Sequence, residues 1–150
     1  MDKTTIYQIA SRCREVSEKF VGSIDAQRFD FFDTGNDRDL ACFCACASWF
    51  LAQKLKDKGI SALVIMGSID KEDDNHCWVE VENHIVDITA TQFRFARKKP
   101  VIIASYKEYE KHYERGRVVE SVNISRGWPI AQKPNEKVIN KLERLYYEKG

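Results

Sequence analysis

The stretch Cys44-Ala-Cys46-Ala-Ser-Trp-Phe-Leu-Ala-Gln-Lys-Leu-Lys-Asp-Lys-Gly59-Ile, read together with His76-Cys-Trp-Val-Glu-Val-Glu-Asn-His-Ile-Val-Asp87-Ile-Thr, sets a helix against a pair of strands. In the first segment Ser48, Leu51 and Leu55, flanked by Ala45, Trp49 and Ala52, follow helical spacing and are apolar nearly all round. The helix is therefore central, and Lys58-Gly59 stops it. In the second, Cys77, Val79 and Val81 alternate with His76, Trp78 and Glu80, which predicts a strand that His76 opens. Glu82-Asn83-His84 reads as a hairpin turn and Ile85 to Thr89 as the return strand, so antiparallel pairing brings Asp87 back toward His76. Nucleophile, base and orienting acid then follow in chain order. A thiol is a strong nucleophile only as thiolate, a state favoured by a helix start and a nearby imidazole. An acid beside that imidazole fixes its tautomer.

Outward from this centre, Ile6, Ile9, Cys13, Val16 and Phe20 recur at spacings of three and four and predict an amphipathic first helix ending near Gly22. Residues 25–39 form a turn-rich loop that delivers the chain to Cys44. Residues 61–69 read as a strand and 70–75 as a charged turn. The basic run 94–99 ends at Pro100 and reads as a solvated loop, although it has the charge to attract an acidic substrate. A short helix is expected around Tyr106, Tyr109 and Tyr113, and a strand over 117–124. Val138, Leu142 and Leu145 place one apolar face on a last helix that docks onto the body. The expected fold is α+β in a single domain, 1–150, with the cysteine helix packed on a mainly antiparallel sheet.

A chain of 150 residues buries roughly 70% of its unfolded surface, enough for one good core. A net charge of +1 with 31% charged residues offers no excess of base for nucleic acid. No apolar run reaches the roughly 18 residues of a membrane span, and no apolar leader with a cleavage site opens the sequence. A cytoplasmic protein without membrane attachment is the expectation. Five cysteines, an odd number with three crowded into 42–46, read as reduced thiols rather than as a disulfide framework.

The glycine fifteen residues after Cys44, the strand that follows, His-x-Trp-Val-Glu-Val and Val-Asp-x-Thr together resemble the transglutaminase-like superfamily of papain-like folds. In that family the nucleophilic cysteine begins a helix closed by a Gly-Ile turn, and His-Ala-Trp-Val-Glu-Val and Asp-Pro-Thr carry the other two members of the triad. The resemblance covers 42–89. It implies a papain-like core with Cys44 as nucleophile, His76 as base and Asp87 as orienter. Cys77 stands where the family has Ala, and Ile88 where it has Pro. The spacing back from Gly59 selects Cys44 over its neighbours Cys42 and Cys46; Cys42 becomes a loop thiol at the pocket and Cys46 a core residue. Trp78, on the face of His76, either walls the substrate site or fills core.

Rival uses of the same residues are weaker. Cys42, Cys46, His76 and Cys77 are ligand types that zinc accepts, but neighbouring strand residues face opposite sides and do not converge. No metal and no cofactor are expected. His84 reads as exposed turn chemistry, His112 as solvated, and Glu80 as a solvated strand acid. For the oxyanion, the backbone N–H at the nucleophile is one donor, and the loop residues Asn36 and Arg38 are candidates for a second. The expected activity is acyl transfer on an amide through a thioester, with a protein or peptide substrate, as a cysteine peptidase or deamidase. The alternatives are a transglutaminase and a non-catalytic peptide-binding module. An arylamine acetyltransferase lacks support, because the Arg-Gly-Gly setting of its cysteine is missing. Asp87→Asn is expected to remove activity with little change in melting temperature.

Overall fold

The computed structural model describes residues 1–23, 43–119 and 134–148. Helix α1 spans Lys3–Val21. Asp2 caps it by accepting from the Thr5 N–H at 3.0 Å and the Thr5 hydroxyl at 2.6 Å, which satisfies one of the orphan donors of a first turn. Its buried stripe is the expected one, Ile6, Ile9, Cys13, Val16 and Phe20. Helix α2 spans Cys44–Asp57. It ends because Gly59 takes φ +77°; the Ile60 N–H then reaches back to the Leu55 carbonyl and the Gly59 N–H to that of Lys56. This is a Schellman closure, for which glycine carries no Cβ penalty. Helix α3, Glu136–Tyr147, is capped by Asn135. It docks as expected: buried Lys54 of α2 donates to Glu143 at 2.6 Å, and Arg12 of α1 donates to the Leu145, Tyr146 and Glu148 carbonyls.

The strands are β1 (Leu63–Ile69), β2 (Glu72–Val81), β3 (His84–Asp87), β4 (Ile102–Ser105) and β5 (Tyr113–Val119). Among the described residues they form one antiparallel sheet in the order β4-β3-β2-β1-β5. Two hairpins use two-residue turns, Asp70-Lys71 and Glu82-Asn83, with φ positive at all four residues, the handedness that matches strand twist. The first turn is shorter than the charged segment 70–75 suggests, so β2 begins at Glu72 and His76 lies within the strand rather than opening it. Tyr113 starts a strand instead of ending a helix; the helix expected around it is a single 3-10 turn, Tyr106–Tyr109. The strand expected over 117–124 is β5 up to Val119, and its remainder lies outside the described residues.

Strand alternation splits the apolar side chains between two cores. Val64, Met66, Cys77, Val79, Val81 and Val86 face the three helices. Ile65, Ile69, Trp78 and Ile85 face the other way, where the chain after β3 covers them with Ala90, Ala96, Ile102, Ala104 and Tyr113. Gly67 makes room for this second core, since a Cβ there would run into the Trp78 ring and the Glu114 carbonyl.

Candidate functional site

The hairpin β2–β3 sets the geometry. In register, Val79 pairs with Val86 and Glu80 with Ile85, so Asp87 emerges on the face of Trp78 and His76, one diagonal step from the histidine. His76 Nε2 lies 2.8 Å from Asp87 Oδ2, and both side chains are buried. The Asp87 carboxylate has further donors. Tyr113 donates its hydroxyl to Oδ2 at 2.6 Å, and the Thr89 N–H donates to Oδ1 at 2.8 Å. Burial alone would raise this carboxyl, but His76, Tyr113 and Thr89 hold it below the usual range.

Cys44 is the first residue of α2, and α2 packs on β2. The β2–β3 ladder stops at Val79, so no strand of the described residues lies beside that edge of β2 at residues 76 and 77. The start of the helix approaches there. Cys44 packs against the core that holds Cys77, and Cys77 and His76 are the neighbours that act on its thiol. With Nε2 committed to Asp87, the ring nitrogen open to the thiol is Nδ1, and the Gln92 amide stands 3.5 Å from that atom. Of the four described cysteines, Cys13, Cys46 and Cys77 are buried and Cys44 alone retains exposure. The acid–imidazole pair is sealed, while Cys44 is half-buried.

Charge follows from these contacts. The Cys77 thiol, as hydrogen-bond partner, is the largest influence that pulls Cys44 well below an ordinary thiol; His76 adds to it and together they outweigh burial. Cys77 moves the opposite way, well above an ordinary thiol, because Cys44 presents it with negative charge and it is buried. Burial would lower His76, yet the charge of Asp87, its hydrogen bond and Cys44 raise it to about 10. These directions favour thiolate on Cys44 and imidazolium on His76, and keep Cys77 protonated. By contrast, burial pushes Cys46 up to about 12 and raises Cys13 as well. The N-cap residue of α2, Phe43, makes no side-chain cap hydrogen bond, and Cys44 stands at the positive end of the helix dipole.

Aromatic rings exclude water from the imidazole. The Phe93 edge meets it at 4.8 Å between centroids, and Trp78 lies at 6.1 Å. Trp78 is fully buried. It packs edge to face on Tyr113 at 5.0 Å and donates its indole N–H to the Tyr106 hydroxyl at 2.9 Å, so of the two readings of this residue, substrate wall or core, the structure places it in core. Glu80 is not a solvated acid: it is buried, accepts from Tyr106 and pairs with Arg115 at 2.7 Å. His112 stacks on Phe95 at 3.9 Å and lies 2.6 Å from Asp70, while half-buried His84 turns its Nδ1 to the Glu82 carbonyl. Cys42, Asn36 and Arg38 lie outside the described residues. Among the described residues no three His, Cys, Asp or Glu side chains form a metal-holding group, and no helix is long and apolar enough to cross a membrane.

Several supporting residues have no sequence motif of their own. Arg14, buried on α1, donates to the Ile88 carbonyl at 2.8 Å and to the Thr91 hydroxyl at 2.9 Å. It straps the segment after Asp87 to the helical layer. Gln92 and Phe93 reach His76 from the 3-10 turn Ala90–Gln92 and the residue after it. Their position directly after Val-Asp-x-Thr was the available signal, since a tight turn there must fold back over the hairpin. Comparison with family models, curated proteins and solved structures finds no match to this chain.

Proposed function

We propose that this chain is a cysteine-dependent acyl-transfer enzyme that acts on an amide through a thioester, as a cysteine peptidase or protein deamidase. The observation that carries this reading is the combination of a half-buried Cys44 at the start of α2 with a buried His76–Asp87 pair at 2.8 Å. The motif resemblance to the transglutaminase-like superfamily supports it independently.

In the proposed reaction the Cys44 sulfur attacks the amide carbon and the carbonyl π electrons move to oxygen. Backbone N–H groups at the start of α2 stabilise that oxygen. His76, already protonated at Nδ1, delivers the proton to the leaving nitrogen as the C–N bond breaks and the thioester forms. Water then attacks the thioester, His76 takes its proton, and the acid is released with Cys44 regenerated as thiolate. Asp87 stays ionised throughout and holds the ring.

The deciding experiment is iodoacetamide labelling of each cysteine across pH, read by peptide mass spectrometry, in wild type and His76→Ala. Fast labelling confined to Cys44 below about pH 8.5, slowed by His76→Ala, is expected. Labelling of Cys44 no faster than that of Cys13 or Cys46 would overturn the enzyme. Glutaminyl and peptide-amide substrates, with and without a primary amine, then separate hydrolysis from transamidation.

A further inference from the structure

Both ring nitrogens of His76 are held by one short segment, residues 87–92. Nε2 lies 2.8 Å from Asp87 Oδ2, and Nδ1 lies 3.5 Å from Gln92 Nε2. The contacts close a loop: the Thr89 N–H donates to Asp87 Oδ1 at 2.8 Å, and Gln92 Nε2 donates to the Thr89 carbonyl at 3.1 Å. That last bond decides which end of the Gln92 amide faces the histidine. A carbonyl oxygen only accepts, so the amide end against Thr89 is the NH₂ and not the C=O. The same nitrogen is the atom beside Nδ1, and it has a second hydrogen to offer. An ionised carboxylate also only accepts, so Nε2 carries the proton that faces Asp87. An N–H beside Nδ1 therefore suits the bare lone pair of neutral imidazole and opposes the N–H of imidazolium.

We propose that Gln92 is a positioning residue that limits how tightly His76 holds its Nδ1 proton: locked by the Thr89 carbonyl, its amide turns N–H rather than C=O toward Nδ1. This inference rests on the proposed acid–base role of His76. The titratable groups that bear on the ring are Asp87 of β3 and Cys44 of α2, with Tyr113 of β5 behind Asp87. Phe93 and Trp78 add uncharged rings. Burial lowers His76, but Asp87 and Cys44 outweigh it and raise it to about 10, which makes the imidazolium a poor acid toward a leaving amine at neutral pH. An acceptor at Nδ1 would make it poorer still. An amide donor works in the opposite direction and helps Nδ1 give its proton up, while Asp87 keeps Nε2 and the ring in place. The segment after β3 thus treats the two nitrogens differently: one is bound to keep its proton and the other to exchange it.

The test is nitrogen NMR of the full chain with isotope-labelled histidine, which reads the tautomer and the titration midpoint of His76 without any substrate. Cys44→Ser is the common background, so that no thiol at that position titrates with the ring. Gln92→Met removes the donor at nearly the same side-chain length, and Gln92→Asn keeps an amide but draws it one carbon back. In both, the His76 midpoint should rise by at least about half a pH unit. Gln92→Glu puts an acceptor in place of the donor and should raise it further. The neutral ring should carry its proton on Nε2 throughout. A merely structural Gln92 would lower the melting temperature and leave the midpoint where it was. An unmoved or lowered midpoint in Gln92→Met or Gln92→Asn, or a neutral ring with its proton on Nδ1, overturns this inference alone. Slow iodoacetamide labelling of Cys44 in the wild type overturns the enzyme reading, and the catalytic use of this contact with it.

Discussion

Tyr113 and His76 meet on a single atom: Asp87 Oδ2 accepts from the Tyr113 hydroxyl at 2.6 Å and lies 2.8 Å from His76 Nε2. The two residues come from β5 and β2, strands separated in the sheet by β1. The Asp87 carboxylate that holds His76 is therefore itself held, by a residue from another strand. A carboxylate with one partner can rotate and present either oxygen, whereas this one is fixed by Tyr113 on Oδ2 and the Thr89 N–H on Oδ1.

Tyr113→Phe should consequently leave the buried carboxylate one donor short. A lost hydrogen bond to a buried charge costs about 1.5–3 kcal/mol, to be read as a lower urea midpoint. Cys44 labelling should slow, because a looser carboxylate holds the imidazolium less well. An unchanged labelling rate with reduced stability would make Tyr113 purely structural.

Asp87→Asn has a different expected outcome from the one the sequence suggests. An amide can accept from Tyr113 or Thr89, but it places an NH₂ group among donors and removes the buried carboxylate charge that faces His76. Both activity and thermal stability should fall, the latter by about 3 kcal/mol or more. A melting temperature within a degree of wild type would contradict the geometry.

The pH dependence of stability carries a signature of the ion pair. Between about pH 6.5 and 8.5 the unfolded chain holds this pair as neutral imidazole and thiol, while the folded chain holds it as imidazolium and thiolate. The proton counts are equal, so the pair gives no slope there. Below about 6.5 the unfolded histidine gains a proton that the folded pair does not, and stability falls with falling pH. Above about 8.5 the unfolded thiols ionise while His76 stays protonated up to about 10, so stability falls with rising pH. The raised Cys77, Cys46 and Cys13 thiols add to that second fall. Thermal melts from pH 5 to 10 should show this plateau in wild type. Cys44→Ser should replace it with a steady decline from about pH 6.5 upward.

Arg14→Met tests the strap between the layers. It keeps the apolar stem but removes the donors to the Ile88 carbonyl and Thr91. Leaving that buried carbonyl unpaired costs about 1–3 kcal/mol. Hydrogen exchange should quicken at residues 88–93 before it quickens in α1. Equal protection of that segment in both proteins would rule the strap out.

The hairpin and the helix were legible in the sequence because their signals are local. Alternation over 77–81, a turn four residues before Asp87 and helical spacing from Ser48 to Leu55 each lie within one element. The onset of β2 was hidden because its turn is Asp70-Lys71, with positive φ on two residues that lack the Asn-Gly or Asp-Gly signature. Tyr113 and Arg14 were hidden for another reason. A tyrosine that starts β5 reaches Asp87 only because β5 lies beside β1 rather than beside its sequence neighbour β4. Arg14 belongs to no sequence motif, and besides Glu18 one turn on its partners lie 74 and 77 residues away.

The contacts around Cys44 also set an order of assembly. His76 and Asp87 are 11 residues apart and are brought together by one hairpin, which closes early because short loops lose little entropy. Cys44 joins them only when α2 packs on the finished sheet, and Tyr113 only when β5 docks, 26 residues after Asp87. In the proposed enzyme the thiol of the nascent chain is ordinary, and its reactivity switches on with the last tertiary contacts. Pulse alkylation during refolding should find fast labelling of Cys44 arriving with the final phase, so that an unfinished domain exposes no active nucleophile to its surroundings.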